Sequence, residues 1–509
     1  MRKLKRVLCF ALTLCLLSCT VVFSASAEEP EENTYDITVV GDSISTGYGL
    51  PSYHKGLDWS NFWYVNDVKT GVAGSYAQLL QEKMQSFFRS FDDTTTVNLN
   101  MDGHIAWRST EFLNMLAGAG CKIPEYDPCY KDPYMLDWLT LWGDDGVTWG
   151  GTDFFRRAFT LASPVNVDNI GAGVVADISN SELVTVNFGS NDIFTYALMS
   201  VIGKWASPLL KPIWEGETLD TEDLGVVVNA FFELLVNAGP DQRHTILGDL
   251  VNAMEIGLAR YQHNLPLILD AIHAINEDAT IAVVGVTDPL NNPLRIGDLN
   301  IDLVTYFDPY VARANAVALA ECAAADYCVY ADMAGTSYWG LSYTLTHMDF
   351  EHLDEDLATT VFYDVIEFVK SVHPDDLGHQ HMAEKLYNAV MPRLCAPEEV
   401  SVERSLLNKP LVTWESVPGA YGYVVYRSTL RNGVYLPVKI VSGSATKALD
   451  LSALSGVSYY YRVSAVLNGT GTLRTPMSDY AYAPRLSSSL AFLKPLFDFN
   501  FGFISRMIK

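Results

Sequence analysis

Val39-Val40-Gly41-Asp42-Ser43-Ile44-Ser45-Thr46-Gly47-Tyr48-Gly49 follows directly on Asp36-Ile37-Thr38. An apolar, β-branched run ending at a glycine reads as a strand buried on both faces that enters a tight turn. Glycines at 41, 47 and 49 let the backbone turn sharply there. A serine just past such a strand is where a parallel sheet presents a nucleophile.

The same rhythm continues outward. Tyr76 to Phe87 predicts an amphipathic helix, with Leu79, Leu80 and Met84 on one face. Thr95 to Asn100 and Leu183 to Asn187 read as strands, and Leu250 to Asn276 as a long helix. A strand over Thr280 to Gly285, a helix over about Pro309 to Ala324, a strand over Cys328 to Ala331 and a helix over Gly378 to Val390 complete the series. Strands separated by helices predict an α/β domain over 34–392, with a parallel sheet covered on both faces. Functional groups in such sheets gather at the carboxyl ends of the strands.

Four short stretches lie at those ends. They are Gly41-Asp42-Ser43, Asn98-Leu99-Asn100-Met101-Asp102-Gly103, Gly189-Ser190-Asn191-Asp192 and His373-Pro374-Asp375-Asp376-Leu377-Gly378-His379. One sheet can bring a serine, a backbone N–H at a glycine, an asparagine amide and a histidine to one rim. Together these make the minimum set for acyl transfer: nucleophile, oxyanion donors and general base. The GxSxG elbow of α/β-hydrolases is absent from the chain.

In these motifs and their order the chain resembles the SGNH hydrolases, also called the GDSL esterase/lipase family. The resemblance implies a flavodoxin-like three-layer α/β/α sandwich with a parallel sheet. It implies Ser43 as nucleophile, with the Ser43 N–H, the Gly103 N–H and the Asn191 amide as the oxyanion hole. His373 would be the base, and no metal or organic cofactor is implied. One position departs from the family pattern: Lys370 stands where an aspartate usually orients the catalytic histidine. A backbone carbonyl or another acid (Asp364, Asp375 or Asp376) then orients His373, or the site is a Ser–His dyad.

Other residues admit bland readings. His104, next to Gly103, either touches substrate or sits in a surface loop, and His379 and His381 read as surface or cap residues. Gly171-Ala172-Gly173 resembles part of a dinucleotide fingerprint but precedes the third strand instead of following the first, which argues against phosphate binding. Two long insertions are expected, at about 107–175 and 197–245. The first is rich in rings, which suits a lid or substrate platform and equally a helical side layer with its own core.

Beyond Cys395 the texture changes. Residues 396–484 show short alternating strands broken by Gly, Asn and Ser, which predicts a β-sandwich. The runs around Trp414, Tyr421 to Tyr426 and Ser458 to Val466 resemble a fibronectin type III module, with Trp414 and Tyr459 as core aromatics. The apolar tail, 485–509, suits an extra strand or a contact with envelope material.

At the N-terminus, residues 1–27 read as a secretion signal: a basic start, an uncharged apolar stretch from Val7 to Phe23, then Ala25-Ser26-Ala27. An uncleaved anchor or a lipoprotein box at Cys19 are the alternatives. Five cysteines lie beyond that segment. Bridges Cys121–Cys129 and Cys322–Cys328 suit an exported chain, with buried free thiols as the other reading.

Thirty-four basic against 60 acidic residues give a net charge of −26. That charge disfavours nucleic acid and anionic headgroups as partners and favours a neutral or cationic ligand. The combined expectation is a secreted, extracellular serine esterase acting on lipid acyl or O-acetyl polysaccharide esters. Contact with the cell envelope would run through the C-terminal module or tail. The competing class is a non-catalytic surface or adhesion protein with a degenerate site.

Overall fold

The computed structural model describes residues 33–53, 71–91, 94–104, 107–122, 167–197, 201, 239–289, 294–296, 299–301, 304–339 and 372–485. Residues 1–27, most of both expected insertions, Cys129, Asp364, Lys370 and the tail beyond 485 lie outside these residues.

Five strands form one parallel sheet: β1 (Thr34–Gly41), β2 (Thr96–Gly103), β3 (Leu183–Asn187), β4 (Thr280–Val284) and β7 (Cys328–Ala331). Their order is β2-β1-β3-β4-β7, the doubly wound arrangement expected of a flavodoxin-like α/β fold. β5 (Leu294–Ile296) and β6 (Leu299–Ile301) make a separate antiparallel hairpin.

Two-residue periodicity divides the sheet's side chains between two layers. Val40, Val184, Val186, Ile281 and Val283 pack to one side. That side is covered by α3 (Ser109–Gly118), α4 (Val167–Ser179), α5 (Pro240–Ile275) and α6 (Val304–Ala324). Ile37, Val39, Val97, Leu99, Ala282 and Val284 face the other side. There α2 (Tyr76–Arg89) and α7 (Asp376–Val390) supply Leu80, Met84, Phe88, Met382 and Leu386. Leu80 and Met84 are wholly buried, and truncating either to alanine costs about 2–5 kcal/mol.

The edges of both expected insertions belong to this core. Phe112, Leu113 and Leu116 of α3 and Val174 of α4 are buried under the sheet. Gly171 and Gly173 lie inside α4, which packs on α3. Helix α5 begins at Pro240, ten residues before the expected start, with a proline in its first turn.

The C-terminal region is a β-sandwich. The sheet β11-β10-β13-β14 faces the sheet β12-β9-β8. These strands span Leu436–Ser442, Gly422–Ser428, Tyr459–Val466, Ala481–Ala483, Lys447–Leu449, Pro410–Thr413 and Ser401–Arg404 in that order. Val412, Tyr423, Val425, Tyr461 and Val463 fill the core between the sheets, and Trp414 and Tyr459 are buried in it. Leu473 of this module packs into the α/β core beside Leu394.

Cys322 and Cys328 are buried free thiols that contact each other, and Cys121 and Cys395 are also free. The expected Cys322–Cys328 bridge is therefore not formed in this structure. The two sulfurs are shared between the end of α6 and the start of β7, where burial favours neutral thiols.

Candidate active site

Registry aligns three strand ends. Gly41 of β1 pairs with Gly103 of β2 on one side and with Asn187 of β3 on the other. The rim therefore carries Ser43 two residues past β1, Gly103 at the end of β2 and Asn191 four residues past β3. A methyl at Gly41 would lie 2.3 Å from Ser45 Oγ and 2.6 Å from the Asn187 carbonyl. Only glycine lets the strand end pass this close to its neighbour. Gly103 likewise abuts the serine turn, 3.0 Å from Ser45 Cβ by the same measure.

Ser43 opens a single helical turn, α1 (Ser43–Thr46). Asp42 precedes it, and its Oδ1 accepts from the Ile44 N–H at 2.9 Å. The turn closes at Gly47, whose φ is +79°, and Thr46 Oγ1 donates to the Ser43 carbonyl at 2.8 Å. These local bonds fix the backbone that carries Ser43.

His373 comes from the other end of the domain. Its segment is held by a bridge between Tyr338 and Pro374 and by the Asp375 N–H on the Ser337 carbonyl at 3.2 Å. Asp375 Oδ1 caps α7 by accepting from the Gly378 N–H, and its Oδ2 accepts from Ser337 Oγ, each at 2.7 Å. So Asp375, one of the acids considered for orienting His373, is committed to capping. His373 Nε2 lies 2.7 Å from Ser43 Oγ. The Tyr48 ring packs on the imidazole with centroids 4.7 Å apart. Ser43, Asn191 and His373 are all buried.

Asn191 opens a π-helical turn, Asn191–Thr195, a distortion common at functional sites. Its Nδ2 donates to the Trp107 carbonyl at 3.0 Å, and its Oδ1 accepts from Thr195 Oγ1 at 2.7 Å. The next residue anchors the same segment from beneath. Asp192 accepts from Ser109 Oγ at 2.6 Å and from the Ser109 N–H at 3.0 Å. Asn264 Nδ2 donates to Ser109 Oγ at 2.9 Å, and the Arg260 guanidinium lies 3.9 Å over the Tyr196 ring. Asp192 is fully buried; burial raises its carboxyl pKa, and Arg260 and Ser109 pull in the opposite direction.

One histidine, His379, differs from the sequence reading. His379 is fully buried, and its Nδ1 accepts from the Tyr76 N–H at 3.2 Å, at the start of α2. Burial, with His373 nearby, lowers its pKa to about 3, so it is a neutral structural imidazole. His381 is exposed, as expected. His104 stacks on Trp107 with centroids 3.9 Å apart, and burial lowers its pKa to about 4. Tyr48 and the Asp192–Ser109 pair were not singled out from sequence; the glycines flanking Tyr48 were the available signal for the first, and the second joins residues 83 apart.

Fold and rim together define an α/β protein with a buried serine–histidine pair at the carboxyl edge of a parallel sheet. No protein-family model matches the chain, and no curated protein does. Among solved structures it is similar to the extracellular lipase of Streptomyces rimosus at 13% identity, over 70% of this chain and 99% of that one, with a TM-score of 0.30. It is similar to phospholipase A1 of Streptomyces albidoflavus at 11% identity, over 70% and 98%, with a TM-score of 0.32. A shorter part, 17% of the chain, is similar to 86% of an Fn3-like protein from Clostridium thermocellum at 34% identity and a TM-score of 0.16.

Proposed function

We propose that this chain is an exported serine esterase of the SGNH type, hydrolysing carboxylic esters of lipid acyl or O-acetyl polysaccharide class. The observation that carries the reading is the 2.7 Å approach of His373 Nε2 to Ser43 Oγ on a glycine-lined, buried rim.

In the proposed reaction His373 Nε2 takes the Ser43 Oγ proton as Oγ attacks the ester carbonyl carbon. The tetrahedral oxyanion is held by the N–H groups of Ser43 and Gly103 and by Asn191 Nδ2. One Asn191 Nδ2 hydrogen serves the Trp107 carbonyl; the second serves the oxyanion. Collapse expels the alcohol, which takes the proton from His373 and leaves acyl-Ser43. Water, deprotonated by His373, then attacks the acyl carbon; the bond to Ser43 Oγ breaks, Oγ takes the proton back from His373, and the acid is released. With Lys370 at the usual aspartate position and Asp375 engaged at the α7 cap, packing of Tyr48 and the clamp at Ser337–Tyr338 contribute to holding the imidazole.

A serine-reactive fluorophosphonate tests this directly. Mass analysis of the labelled full chain should place the adduct on the peptide containing Ser43, and Ser43→Ala should take up none. An unlabelled wild-type chain, or an adduct on another residue, contradicts the reading and favours a non-catalytic surface protein.

A further inference from the structure

The strands of the sheet β11-β10-β13-β14 contain no aspartate or glutamate, in a chain with 60 of them. Residues 396–485 as a whole hold nine Lys/Arg against six Asp/Glu, a balance of +3 within a chain of −26. The charged residues of these strands, Arg427, Lys439 and Arg462, are all basic, and Arg427 is paired with Asp450.

The face of this sheet turned away from the sandwich core is built of rings and guanidinium groups. Tyr460 packs against Tyr482 and Tyr480, with centroids 5.1 and 5.6 Å apart. The Arg431 guanidinium lies 4.6 Å over Tyr480, and that of Arg462 lies 5.0 Å over Tyr435. Arg474 Nη1 donates to Tyr426 Oη at 2.8 Å. Arg462 Nε is buried and makes no hydrogen bond among the described residues. Tyr482 keeps half its surface exposed.

We propose that this face binds an anionic polysaccharide whose pyranose rings carry carboxylates. Tyrosine rings give flat apolar surfaces on which sugar rings stack. Guanidinium groups fixed over rings lose little freedom on binding and present paired donors that match a carboxylate. Charge decides between occupants. A flexible polymer strand can lie on the basic face alone. An anionic bilayer is a plane, and would bring the strongly acidic remainder of the chain within the roughly 10 Å over which charges interact at 0.1 M salt. The inference stands apart from the esterase reading, since it uses no residue of the serine rim.

The test uses the full chain carrying Ser43→Ala, so that no ester is turned over, in affinity electrophoresis through gels holding polygalacturonate. Dextran is the neutral control, and anionic phospholipid vesicles are tested by co-sedimentation. Polygalacturonate should retard the protein, dextran should not, and the retardation should weaken as salt is raised. Tyr482→Ala and Arg431→Gln alter exposed side chains, so the chain stays folded, and each should weaken binding by about 3- to 10-fold. The proposal is overturned by absence of retardation, by equal retardation in dextran, or by variants that bind like the parent. Binding to vesicles in place of the polymer overturns it in favour of a membrane surface.

Discussion

Ser43 Oγ and His373 Nε2 lie 2.7 Å apart although 330 residues separate them in the chain. The doubly wound order of the sheet produces this meeting. β1 lies between β2 and β3, so the residues after these three strands share one rim. His373 reaches that rim through the segment fixed between Ser337 and α7. Within this frame the polar groups have separable jobs, and each can be tested.

Asn191 should act on the rate and Asp192 on stability. Asn191→Ala removes a proposed oxyanion donor, and kcat should fall by about 10²–10³-fold with KM nearly unchanged. Asp192→Ala strips the buried partner of Ser109 and leaves the Arg260 charge less compensated. A loss of about 3–5 kcal/mol is expected in urea unfolding. If the two variants had the same kinetic and stability profile, this separation would be wrong.

Gly41→Ala should harm catalysis through geometry alone. Its methyl would meet the Asn187 carbonyl, which is backbone and cannot swing aside. Relief requires the strand end to move, at about 1–3 kcal/mol, and Ser43 moves with it. The expected variant is folded by circular dichroism and has a reduced kcat.

Much of this architecture was legible in the chain. Leu183 to Asn187 and Cys328 to Ala331 were read with their observed bounds, because short β-branched runs between polar turns admit few alternatives. Short strands such as Ala481–Ala483 and Lys447–Leu449 escaped, since three residues carry no period. His379 departs from its expected surface or cap position because its burial is created by Tyr76, 303 residues away, and leaves no sign in the local sequence. The serine, glycine, asparagine and histidine of the rim stood in motifs, whereas the network under Asn191 is assembled by helix packing and leaves no local trace.

The contributions of Asp42 and Glu182 to stability should fall as pH rises from about 4 to about 7. Burial pushes the Asp42 carboxyl from an ordinary 3.8 up to about 7, and that of Glu182 from 4.5 up to about 7. Both are raised, so the folded state favours their protonated forms. The stabilisation is complete below the ordinary values and is lost as pH climbs through the raised ones. His379 slopes the other way: its contribution is complete above 6.5 and is lost as pH falls towards 3. Subtracting the Tm profile of Asp42→Asn from that of the parent isolates the first term. The difference should shift against the parent between about pH 4 and pH 7; a flat difference would contradict a protonated, buried Asp42.

The central claim is that Ser43 and His373 act as nucleophile and base on carboxylic esters. The most direct measurement is hydrolysis of p-nitrophenyl acetate and longer p-nitrophenyl esters by the parent chain, Ser43→Ala and His373→Ala. The parent should turn over these esters, and both variants should lose about 10³-fold or more of that activity. A parent no faster than Ser43→Ala on every ester would contradict the claim.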